Sequence, residues 1–198
     1  MTKLDEIIDA ATGETVSAAS LLRMVKVVAA RLETEQLADW VDRELGGYAT
    51  DDDLPAYRGP FPAHVMGVFV GSCNSTMTRA VPSRAMPAGL RGGFAYKVAF
   101  HQAISELEPL SQSEQALQNP WDANIVARVN HLIDEGNVTL VPMHHLATAY
   151  KVVTPHEIRA VVDGVRTRVL NLALDLEKIA PDAGGRRPHQ STPSRSGT

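Results

Sequence analysis

Between Glu44 and Arg58 the chain brings together a carboxylate, two phenols (Tyr48 and Tyr57) and a guanidinium, with Asp51, Asp52 and Asp53 in the middle. Two chemistries are open to such a set. Glu44, Tyr48, Tyr57 and Arg58 can close a polar pocket, or Arg58 can pair with Glu44 and tie the intervening loop down. The three aspartates supply hard oxygen donors of the kind a divalent cation needs. With Glu44 they would make a metal-dependent hydrolase or nuclease, the enzymatic alternative. The run lacks the alternating spacing and turn glycine of a calcium loop, so a solvated acidic turn is the plainer reading and no metal is assigned.

Other reactive residues are scattered. His144 and His145 are neighbours in a predicted strand and would point to opposite faces, which keeps both off one ion. Cys73 stands alone, has no disulfide partner in the chain and reads as an inert thiol. Gly89–Gly93 lacks the lysine ending of a phosphate-binding loop, and no HExxH, GxSxG or CxxC occurs. Arg159, Arg166 and Arg168 on the last helix could touch phosphate and make a nucleic-acid sensor. The charge balance argues against that. The net charge is −4, the segment after Ala180 carries +2, and residues 1–180 are left with −6. No run of apolar residues is long enough for a membrane span and no signal peptide is evident, so a cytoplasmic protein is expected. No cofactor is implied.

The elements that position these groups follow from periodicity. Apolar spacing predicts helices over Leu4–Ala11, from the Ser17 cap to Leu32, and from the Thr34 cap to a stop at Gly46-Gly47. The two-residue link makes the second and third an antiparallel hairpin. Strands are expected at 63–70, 72–81, 94–102, 138–143 and 146–153, with helices at 103–110 and 122–135 and a loop at 111–119. Thr154-Pro155-His156-Glu157 is a capping box opening a helix to Ile179, about 38 Å long at 1.5 Å per residue. Ile158, Val162, Val165, Val169, Leu172 and Leu176 form its heptad seam, a candidate surface for a protein partner or self-association. The aromatic content of 5% leaves the core to Val, Leu, Ile and Ala. Residues 181–198 are Pro-, Gly-, Ser- and Arg-rich and are expected to be a disordered tail after a single domain, 1–180. The fold class expected is α+β: an N-terminal helical hairpin and long C-terminal helix packed with a small, mainly antiparallel sheet.

One resemblance adds to this. The opening Leu21-Leu22-Arg23, Arg31-Leu32, Trp40-Val41 with Glu44-Leu45, the Gly47-Tyr48 turn and the acidic loop to Leu54–Arg58 resemble the start of an AbiTii domain. Residues 101–109 and 155–178 resemble its central and closing helices. The resemblance implies abortive infection, a phage-defence role exerted through growth arrest or death of the infected cell. It carries over no catalytic residue. The leading expectation is a non-catalytic interaction or regulatory module.

Overall fold

The computed structural model describes residues 2–179. The predicted tail, 181–198, lies outside the described residues. Two compact units are distinguished: residues 2–42 with 166–179, and Arg43–Val165. Seven α-helices and two antiparallel sheets among the described residues make the fold α+β.

In the first unit α1 (Lys3–Thr12) opens on a capping box in which the Thr2 hydroxyl accepts from Asp5 N and the Asp5 carboxylate accepts from Thr2 N. In α2 (Ala18–Leu32) Ser17 caps the start, and Glu33, in the left-handed conformation, ends the helix. Then α3 (Glu35–Gly46) turns back, and Lys26 of α2 reaches Asp42 of α3, as an antiparallel hairpin requires. Leu4, Ile7, Val25 and Val28 meet Val169 and Ala173 of the last helix, α7 (Pro155–Ile179). Arg166 fixes that packing by donating to the carbonyl of Ala10 in the last turn of α1 and to those of Gly13 and Val16 in the turn between α1 and α2.

The second unit is built on a four-stranded antiparallel sheet of order β3-β2-β6-β5. Its strands are β2 (His64–Gly71), β3 (Thr76–Ala80), β5 (Leu117–Pro120) and β6 (His144–Val153). A second, two-stranded sheet pairs β1 (Phe61–Pro62) with β4 (Lys97–Val98). In β2 burial alternates, with Val65 and Phe69 inward. These pack with Leu146, Ala149, Trp121 and Val129 of α6 (Ala123–Asp134) into one core. Where β6 bulges, Val68 pairs with Thr148 but Phe69 with Leu146. The Asn130 side chain spans that irregularity, donating to Leu146 O and accepting from Leu146 N. The remaining helices, α4 (Ala88–Arg91) and α5 (Ile104–Ser111), are short. A second core gathers Val98, Phe100, Leu107, Val153, Ile158 and Val161.

Several strand expectations need correction. Residues 138–143 form no strand: Pro142 has no N–H to give and Met143 turns the chain at φ 58°. The stretch 94–102 is a 3-10 turn followed by two paired residues, with Phe94 facing solvent. Residues 111–119, expected as loop, end in the edge strand β5. Cys73 lies in the turn between β2 and β3, exposed, instead of within a strand.

The capping box ahead of α7 is present as expected. The Glu157 carboxylate accepts from Thr154 N at 2.6 Å, and the Thr154 hydroxyl accepts from Glu157 N at 3.4 Å. Thr154→Ala removes that cap and is expected to cost about 1 kcal/mol, read as a lower urea midpoint at unchanged slope.

Candidate functional site

The four polar residues singled out between Glu44 and Arg58 converge. Helix α3 ends at Gly46, and Gly47 directly after it has a φ of 89°, which suits glycine. A Cβ there would also come within 2.9 Å of His101 O. The turn delivers Tyr48, whose N–H donates to His101 O at 2.8 Å. After the acidic loop, a 3-10 turn at Ala56–Arg58 returns Tyr57 and Arg58 to the last turn of α3.

The result is a closed network. Arg58 Nη2 donates to Glu44 Oε2 at 2.7 Å, and Nε points at the same carboxylate, 3.2 and 3.3 Å from its oxygens. Both side chains are 0% exposed. Arg58 Nη1 donates to the carbonyls of Phe100 and Gln102, each at 2.8 Å. The hydroxyls of Tyr48 and Tyr57 both donate to Glu44 Oε1 at 2.7 Å. The Tyr48 ring also lies beneath the guanidinium, 4.8 Å from centroid to Cζ. Tyr57 in turn sits on Gly164 of α7, where an added Cβ would come within 2.9 Å of its Cβ.

A buried carboxylate and guanidinium hold together only when geometry and extra hydrogen bonds offset their desolvation. Here the pair is matched on both sides: Glu44 accepts from both tyrosines, and Arg58 donates to two carbonyls. Burial, then the hydrogen bond and charge of Glu44, raise the Tyr48 pKa far above the ordinary phenol range. The cluster is therefore a strut that fastens the end of α3, the acidic loop and the segment at Phe100–Gln102 to one another.

The other predicted groups are dispersed. Asp52 accepts from Ala49 N at 2.8 Å and shapes the loop, while Asp51 and Asp53 are exposed. Among the described residues no group of three His, Cys, Asp or Glu side chains is arranged to hold a metal ion. The two histidines diverge. His144 Nε2 meets Ser75 Oγ at 3.2 Å and its Nδ1 donates to Pro142 O at 2.8 Å, whereas His145 meets Asp134 at 2.7 Å. The arginines of α7 are engaged within the chain: Arg159 donates to Ser111 O, Arg166 to the α1–α2 turn, and Arg168 lies over the Trp40 ring.

The heptad seam of α7 also needs correction as a free surface. Ile158, Val162, Val165 and Val169 are buried, and Leu172 and Leu176 are half-buried against α1 and α2. The seam forms core. Sequence reasoning missed the carbonyls of Phe100 and Gln102, because backbone acceptors leave no residue-type signal. It also missed the glycine at 164, whose mid-helix position was the available clue.

With this geometry in view, the family model AbiTii matches residues 4–194. The chain belongs to the AbiTii family. The AbiTii family points to abortive infection, a form of phage defence. No curated protein and no solved structure shows significant similarity to the chain. No helix among the described residues is long and apolar enough to cross a membrane.

The strut and the other buried phenol give two predictions. Arg58→Met leaves the Glu44 carboxylate buried without its counter-ion and is expected to destabilise the fold by about 3–5 kcal/mol in urea unfolding. Adding Glu44→Gln to that variant should recover a large part of the loss. The tyrosines give a pH signature. An unfolded phenol ionises near pH 10, whereas Tyr48 is held higher and burial pushes Tyr96 up to about 12. The folded state thus keeps protons that the unfolded state gives up. Stability should be full below about pH 10 and fall as pH rises from there toward 12, with both phenols absent from a 295 nm titration until unfolding.

Proposed function

We propose that this AbiTii protein is a cytoplasmic, non-catalytic interaction or regulatory module of an abortive-infection system, acting by holding a protein partner or by associating with itself. The observation that carries the reading is the closure of the Glu44–Arg58 network. A general acid, base or metal ligand needs access to a substrate or ion, and Glu44 is sealed from solvent with Arg58, Tyr48 and Tyr57 on its oxygens. The same observation weighs against the metal-dependent hydrolase reading, which would put Glu44 to work with the acidic loop.

Partner binding in turn requires apolar groups that the fold leaves uncovered. Most of the α7 seam packs into the core, and the two most exposed large apolar side chains lie outside it. Phe94 and Met143, in the Arg43–Val165 unit, are 88% and 86% exposed. Large apolar side chains at that exposure make nothing for the fold, and they are of the types enriched at protein interfaces.

Phage challenge of cells expressing variants tests the reading. Phe94→Ser with Met143→Ser should lower protection by at least about tenfold and abolish partner capture or self-association, with the melting temperature unchanged, as expected for interface anchors. Asp51→Asn with Asp53→Asn should leave protection intact. Protection lost in the aspartate variant and kept in the Phe94/Met143 variant would replace this proposal with the enzymatic one.

A further inference from the structure

A cavity of about 240 Å³ opens beside β5. Its floor is apolar and drawn from the second core: Phe100, Leu107, Val153 and Ile158, all buried. Its rim carries three exposed side-chain amides, those of Gln102, Gln118 and Asn119. No charged side chain is among the residues lining it. We infer that this cavity is a binding site for a small neutral organic molecule with an apolar body and one hydrogen-bonding group.

Size, lining and rigidity carry the inference. A cavity of roughly 150 Å³ lined by apolar side chains is large enough to take up benzene, so this one accommodates a somewhat larger body. An apolar floor with a few polar groups at the mouth is the usual make-up of a small-molecule site. The amides offer both donors and acceptors to an N–H or O–H on the ligand. Because no lining residue could offset a charge buried on the floor, a neutral ligand is favoured over a charged one. The lining draws on Leu117–Pro120 of β5 and, as a second wall, on Val98–Phe100 with Gln102.

That second wall is held in place from behind. Arg58 Nη1 donates to Phe100 O and Gln102 O, and Phe100 N donates to Arg58 O at 2.9 Å. His101 O accepts from Tyr48 N. The buried Glu44–Arg58 strut therefore preforms the cavity, and the ordering cost that a floppy pocket would impose on its ligand is already met by the fold. This inference is independent of the partner-binding proposal, since Phe94 and Met143 are not among the residues lining the cavity.

The test uses the full chain, isotopically labelled, with indole as the neutral probe and indole-3-acetate as its charged counterpart, followed by amide chemical shifts. Indole should give saturable shifts in the millimolar range confined to the segments 98–102 and 117–120 and their neighbours. Indole-3-acetate should bind at least about tenfold more weakly, because its carboxylate would be desolvated without a partner. Ala99→Leu, which enlarges a half-buried wall residue, should abolish the indole shifts while circular dichroism stays native. The inference is overturned by indole shifts that map elsewhere, by equal binding of the two probes, or by full binding in a natively folded Ala99→Leu protein. Absence of saturable indole binding overturns it as well, including where a capped, uncharged strand-forming peptide shifts the 117–120 amides instead and marks the slot as a peptide groove. Should Ala99→Leu fail to fold, the wild-type shift map and the two-probe comparison decide alone.

Discussion

A carboxylate and a guanidinium with no exposure to water make an expensive pair, and the second unit is arranged around meeting that expense. Glu44 sits on the last turn of α3, two residues before the Gly46-Gly47 pair at its end, so its position is set by where the helix ends. Arg58 arrives at the far end of the acidic loop. Their pairing closes that loop. The guanidinium, planar and rich in donors, then has N–H groups to spare for Phe100 and Gln102. A lysine, with a point charge and no fork, could not reach the carboxylate and both carbonyls in one plane. Three segments distant in sequence are in this way fastened by one side chain.

The strut explains why the Tyr48 and Tyr57 hydroxyls face inward. A carboxylate has more lone pairs than one arginine can fill, and any left unfilled in a dry interior carries a desolvation cost. Two phenols donating to the same oxygen, each at 2.7 Å, take up that capacity without adding charge. Their rings meanwhile supply apolar surface: Tyr48 against the guanidinium, and Tyr57 against the gap left by the missing side chain at position 164. What looked in the sequence like a crowded set of reactive groups is a closed network in which each group answers another.

The helices were legible because their signals are local. Caps at Ser17 and Thr154, the stop at Gly47 and the 3–4 spacing of apolar residues all act within a few positions of where they are read. The option of an ion pair between Glu44 and Arg58 was legible for a similar reason, since the two flank one loop. The sheet was less so. β2 pairs with β6 across some eighty positions, and β5 has an unremarkable sequence, LQNP, that becomes a strand only because β6 offers it an edge. The stretch at 94–102 alternates like a strand, but its backbone groups at Phe100 are taken by Arg58 instead of a full ladder. Periodicity records which side chains turn inward and says little about which backbone groups find which partners.

The fate of the α7 seam follows the same logic. A heptad spacing states that one face of a helix is apolar and must be covered; it does not say by what. Here Val169 and its neighbours are covered by α1 and α2, and Ile158 by Leu107, Val153 and Phe100. Once that face is accounted for internally, the large apolar side chains left most exposed are ones the fold does not use. Phe94, left outside by the 3-10 turn, and Met143, itself in the left-handed conformation after Pro142, are of this kind. Both arise where the sequence departs from strand geometry, so the irregular backbone that defeated the strand reading is also what leaves these side chains uncovered.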